Sequence, residues 1–180
     1  MPGHKGKGFL GIEEYDITEI SGADVLYDAT GIIRESEENA AKLFGAAKTV
    51  YSAEGSSLSI RAMLYLAVLH AKQNGKTPII AAGRNAHRVF ITAAALLDFE
   101  TEWLYSEEKG SYLSCFIDAE FLERKFEECE ELPVAVYITS PDYLGNITDI
   151  KSVSSVCKKH GVLLIVDNAH GAYLRFLPVS

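Results

Sequence analysis

Short apolar runs alternating with helix-patterned stretches constrain this chain more than any other feature. Pro78-Ile79-Ile80-Ala81-Ala82, Val134-Ala135-Val136-Tyr137-Ile138-Thr139 and Val162-Leu163-Leu164-Ile165-Val166 read as buried strands. Aliphatic and β-branched runs of that length fit a parallel strand covered on both faces, and the last run reads as a central one. Two weaker strands are expected at Thr49-Val50-Tyr51 and Thr101 to Tyr105. Between them the spacing predicts helices over 57–73, 86–97, 118–129 and 148–159, with Gly75 and Gly161 as stops, Asp118 as the cap of the third and either Thr148 or Asp149 opening the fourth. An earlier helix is expected to start at Ser36 as N-cap and stop at Gly45, and residues 1–35 read as an extended arm with turns. Strands and helices in alternation make βαβ units, so the class is α/β with a mainly parallel sheet flanked by helices.

Composition narrows the function classes. Of the 180 residues, 48% are hydrophobic, enough for a packed core, and the net charge of -8 argues against a nucleic-acid groove. No run approaches ~18 uninterrupted apolar residues, so no membrane span is expected, and no signal peptide is visible at the N-terminus. Cys115, Cys129 and Cys157 form no C-x-x-C pair and read as free thiols of a reducing cytoplasm.

In a parallel sheet, ligands bind in the loops beyond the strands' C-terminal ends, and four such loops carry unusual residues. Gly55-Ser56-Ser57 opens a helix, where a flexible backbone, two hydroxyls and free N–H groups suit a phosphate; a plain turn and helix cap is the alternative. Arg84-Asn85-Ala86-His87 enters the next helix. The helix N-terminus disfavours a charged imidazole there, and a neutral ring can stack on a flat ligand; alone, His87 also reads as a capping or surface histidine. Thr139-Ser140-Pro141-Asp142-Tyr143-Leu144-Gly145 is a rigid polar turn. Asp167-Asn168-Ala169-His170 places a carboxylate at the end of a buried strand, where it needs a partner. A metal site lacks further ligands, a Ser-His-Asp hydrolase lacks its G-x-S-x-G elbow, and a helicase box lacks its phosphate loop. Together the loops favour a phosphorylated, cationic heteroaromatic: Ser56 and Ser57 on the phosphate, His87 over one ring face, Ala169 allowing approach on the other, Asp167 on the ring nitrogen. Pyridoxal 5'-phosphate fits that description.

These motifs, in this order, resemble those of the bacterial ornithine/lysine/arginine decarboxylases of the fold-type I pyridoxal-phosphate group. The resemblance runs from Pro2-Gly3-His4-Lys5-Gly6 through Asp16-Ile17-Thr18-Glu19, Gly22-Ala23-Asp24-Val25-Leu26 and the helix ending at Phe44-Gly45. It continues through Gly55-Ser56-Ser57, Arg84-Asn85-x-His87, Ser140-Pro141-x-Tyr143-x-Gly145 and Asp167-x-Ala169-His170-Gly171. It implies the large domain of the aspartate-aminotransferase-like fold, with Gly55, Ser56, Ser57, His87, Asp167, Ala169 and His170 around the cofactor. It also implies decarboxylation of a basic amino acid, in polyamine synthesis or acid resistance, by a homodimer or higher assembly.

Three departures qualify the resemblance. Arg88-Val89 follow His87 where the family often has Lys-Ser, and Asp142 stands where small hydroxyl residues are common. The family's Schiff-base lysine lies in a Ser-x-His-Lys motif, which these 180 residues lack, and Lys5 belongs to the N-terminal arm. The expectation is a truncated large domain over 36–180 behind an arm over 1–35, with the lysine beyond Ser180, no catalytic residue in this chain and no turnover by it alone. A sheet cut this way exposes edges, so non-native association is expected. An aminotransferase or β-eliminating lyase of the same fold, and a non-catalytic α/β binding module, are the competing readings.

Overall fold

The computed structural model describes residues 4, 5, 7–18, 20–106 and 113–177; Pro2, Gly3, Gly6 and Glu19 of the motif series lie outside the described residues. The chain divides into two compact units, Met1–Ala53 and Glu54–Ser180.

In the first unit, α1 (Ile32–Phe44) has Gly31 as its N-cap, five residues before the expected Ser36, which lies inside the helix. The cap comes from a distance: the Asp24 carboxylate accepts hydrogen bonds from the N–H groups of Thr30, Gly31 and Ile33, as well as Val25. A remote carboxylate satisfies the orphan donors that a local N-cap side chain would otherwise take. Gly45 ends the helix as expected, in the left-handed conformation at φ 69°. The strand expected at Thr49-Val50-Tyr51 does not form. The Tyr51 N–H donates to Glu37 Oε1 at 2.7 Å, and its hydroxyl reaches Ser36 Oγ at 2.8 Å. The backbone group that a neighbouring strand would need is taken by a helix side chain.

The second unit is a four-stranded parallel sheet in the order β2-β1-β3-β4, built from β1 (Ile79–Gly83), β2 (Glu100–Leu104), β3 (Ala135–Thr139) and β4 (Leu163–Asp167). Side chains alternate between its faces, so each face packs its own helices. On one, α2 (Gly55–Gln73) and α3 (Arg88–Leu97) cover Ile80, Ala82, Tyr137 and Ile165. On the other, α4 (Ala119–Glu128) and α5 (Ile150–His160) cover Ala81, Val136 and Ile138. The helix caps follow the sequence: Asp118 accepts from Phe121 N–H, Asp149 accepts from Lys151 and Ser152, and Gly161 closes α5.

A third expectation, that the last apolar run is a central strand, is corrected. Among the described residues β4 pairs with β3 alone and lies at the sheet's edge, with Leu163 exposed. The fully covered strand is β3, buried at all five positions. An apolar run reports burial, but strand order depends on crossovers that leave no mark in the run itself.

Partial burial pushes the Asp24 carboxyl up, but its four N–H donors outweigh that and hold it at about 2, below the ordinary 3.8. A depressed value means stability that is present above pH 3.8 and lost as pH falls towards 2. The protection of the Gly31 and Ile33 amides, taken relative to their intrinsic exchange rate at each pH, is therefore expected to fall over that window, and Asp24→Asn is expected to show the lower protection already at neutral pH.

Candidate functional site

All four strands point the same way, so their C-terminal ends form one edge. α3 leaves β1 at that edge, and α2 runs back from it to reach the start of β1. The N-termini of both helices therefore lie at the edge, on the sheet face that carries Tyr137, Thr139, Ile165 and Asp167 at alternate positions of β3 and β4. This topology brings Gly55, Ser56, Ser57, His87 and Asp167 to one edge and one face.

Asp167 is the anchor of that edge. Its carboxylate is only 7% exposed, and both oxygens are engaged: Oδ2 accepts from the Tyr137 hydroxyl at 2.8 Å and Oδ1 from the Ala169 N–H at 3.2 Å. A carboxylate offers about four acceptor positions, so this pairing leaves capacity for a cationic donor. Tyr137 is fully buried; burial first, and then the Asp167 charge, push its phenol far up, so it stays a donor. Thr139 Oγ1 lies buried beside that hydroxyl without completing a hydrogen bond of good geometry.

Gly55 opens α2 at φ 65°, a conformation that glycine adopts without penalty, and Glu54 at the N-cap makes no side-chain cap. Ser56 is exposed and Ser57 half-buried in the first turn. His87 is the N-cap of α3: its Nδ1 accepts from Val89 N–H at 3.2 Å, which leaves the ring proton on Nε2. The capping alternative is thus realised, and the half-buried ring still sits at the ligand edge. Arg84 lies over Trp103 at 5.2 Å, and Asn85 is buried with Nδ2 unpaired.

Ala169 and His170 are exposed in the turn after β4. The His170 ring meets Tyr143 at 5.8 Å, in a cleft of about 400 Å³ lined also by Pro141, Ile147 and Tyr173. Asp142, whose role the sequence left open, holds that neighbouring loop. Burial raises its carboxyl, but hydrogen bonds from Ser114, Asn146 and Leu144 outweigh it, and the net shift is downward. Gly171 is buried where the two loops meet; an added Cβ would overlap Asn168 Oδ1 and Pro141 Cδ.

Sequence reasoning missed Tyr137. A signal was present: it is the one aromatic in an otherwise aliphatic and small-residue strand, and a buried phenol needs an acceptor. What the strand could not say was which acceptor lies on the neighbouring strand.

The family pattern described as "Orn/Lys/Arg decarboxylase, major domain" matches residues 8–180. The chain belongs to this decarboxylase family. The arginine decarboxylase of Bacillus subtilis (strain 168) is 29% identical over 194 aligned residues, covering 100% of this chain and 38% of that protein. The arginine decarboxylase of Halalkalibacterium halodurans is 28% identical with the same coverage of 100% and 38%. This member of the family thus spans little more than a third of the length of these relatives. Solved structures share its fold. Mouse CSAD in apo form superposes at a TM-score of 0.62 with 21% identity, over 79% of this chain and 32% of that one. Oryza sativa TDC with PLP and tryptamine does so at 0.60 with 14% identity, over 74% and 31%. The resemblance stated from the motifs and the α/β fold expected from the alternation are both borne out.

The Gly171 contact gives a direct check on how the decarboxylase-family loops are held. Gly171→Ala forces the β3 and β4 loops apart, and overpacking of this kind costs about 1–3 kcal/mol. Urea denaturation is expected to show a loss of that order, whereas an unchanged midpoint would mean the loops are not in register at this point.

Proposed function

We propose that this chain is the cofactor-holding part of a pyridoxal-phosphate-dependent decarboxylase of a basic amino acid. The observation that carries the reading is the placement of the buried Asp167 carboxylate on the face and edge where α2 and α3 begin. The site's chemistry fits the cofactor. An N-terminal helical turn with two hydroxyls suits a phosphate, a ring at the head of α3 suits a planar face, and a carboxylate with spare acceptor capacity suits a cationic ring nitrogen.

In this reading Gly55, Ser56 and Ser57 bind the phosphate through backbone N–H and hydroxyl groups. His87 lies over one ring face. Asp167 receives the ring N–H and keeps that proton in place, held from behind by Ala169 N–H and Tyr137. Small Ala169 leaves room beside the ring, and His170 closes the turn that carries Asp167. Bound there, pyridoxal phosphate would supply an electron sink for the loss of carbon dioxide from an amino acid.

Family membership and the names of the arginine decarboxylases support a basic amino acid as substrate, with arginine the first to assay and polyamine synthesis the first context to test. The same reading takes residues 36–180 as part of a large domain that follows an arm over 1–35, and the working protein as a homodimer or higher assembly. Three free cysteines among the described residues support a cytoplasmic setting, and no described helix is long and apolar enough to cross a membrane. Since no Ser-x-His-Lys sequence occurs within these 180 residues, we assign the covalent lysine to sequence outside them.

The test is equilibrium dialysis of the 180-residue chain with pyridoxamine 5'-phosphate, which needs no covalent link. Saturable binding is expected, weakened roughly tenfold or more by Asp167→Ala through loss of a charge-assisted bond. Agmatine formation from arginine by the chain alone is expected to be nil. No detectable affinity for the cofactor would remove the reading.

A further inference from the structure

We infer that Tyr137 is a positioning residue for the cofactor's ring nitrogen, acting through Asp167, and that Phe90 ties it to the His87 helix. The inference rests on the reading of Asp167 as the ring-nitrogen partner. Its own ground is the geometry around the phenol.

Tyr137 lies at the centre of β3, the fully buried strand, and its hydroxyl donates to Asp167 Oδ2 at 2.8 Å. A phenylalanine at this position would keep the ring packing and avoid burying a hydroxyl. The hydroxyl therefore matters to the carboxylate more than to the core. Without it, Oδ2 of a nearly buried carboxylate would lose its described partner, and the χ angles of Asp167 would be set by the Ala169 N–H alone. Two donors on different oxygens fix the plane of a carboxylate, whereas one leaves it free to turn. With Tyr137 behind it, the remaining lone pairs keep a fixed direction.

The phenol is itself held by its neighbours. The Phe90 ring sits 4.9 Å from that of Tyr137 and makes edge contacts with Phe99 at 5.5 Å and Trp103 at 5.7 Å. Phe90 lies one turn into α3, and its N–H bonds the His87 carbonyl at 2.8 Å. A rigid line thus runs from His87 at the helix head, through Phe90 and Tyr137, to Asp167. The group over the ring face and the group on the ring nitrogen share one packed support, so their spacing is set before any ligand arrives. Such preorganisation lets a charged contact favour one ring orientation without reordering on binding.

Tyr137→Phe removes the hydroxyl alone, and it is read with pyridoxamine 5'-phosphate labelled with ¹⁵N in the ring. In the parent chain the bound ring nitrogen is expected to show the shift of a protonated pyridinium. In Tyr137→Phe the dissociation constant is expected to rise about tenfold, the scale of a hydrogen bond to a charged group. The nitrogen signal is expected to move towards the neutral ring. Phenylalanine substituted in an Asp167→Asn background should change neither, because the two residues act as one unit. Additive effects in that cycle, or an unchanged nitrogen shift in Tyr137→Phe, would mean that the phenol serves packing only and would overturn the inference. Absence of binding by the parent chain is a different result, which defeats the assignment of the cofactor itself. Should Tyr137→Phe fold poorly, Phe90→Leu keeps the hydroxyl and loosens its support; a weakened affinity with a partly shifted nitrogen signal is then expected, and no change in either overturns the inference.

Discussion

A parallel sheet has to be covered on both faces, and in this chain the requirement falls on β3. Its side chains alternate between two helical layers with no solvent on either side, and the neighbouring strands take their register from it. Because each connection must cross from one strand end to the next strand's beginning, helices return against the strand direction and their N-termini collect at one edge. Donor groups, positive helix ends and loop side chains then converge there without any residue being selected to bring them together. Chemistry at the edge follows from packing in the middle.

That dependence explains why so much was legible in the sequence. Apolar runs, caps such as Asp118 and Asp149, and the left-handed glycines Gly45 and Gly161 act locally, so each announced its element. The three reading errors share a different cause. Ser36, Tyr51 and β4 are governed by partners distant in the chain: the Asp24 carboxylate caps α1, Glu37 takes the Tyr51 amide, and strand order places β4 at the edge. A helix cap supplied from eight residues earlier leaves no signature at the helix start.

The candidate site was legible in the same graded way. Asp167 announced itself because a carboxylate after an aliphatic strand is costly unless matched. The helix-head residues announced themselves because glycine and hydroxyls at strand-to-helix turns have few physical uses. Tyr137 stayed hidden, since its meaning lies in the register that sets Thr139 beside Asp167 and turns a buried phenol towards the next strand. The loop bearing Asp142 stayed ambiguous as well, because a satisfied Asx turn and a ligand group look alike until their donors are placed.

The aromatic cluster behind the site also has a practical side. Trp103 is the sole tryptophan of the chain, packed edge-on against Phe90 with the Arg84 guanidinium above it. Its emission is therefore a built-in optical gauge of the α3 head. Quenching or a spectral shift on excitation at the red edge of protein absorbance would register movement of the helix that carries His87, with no label attached and no background from a second indole.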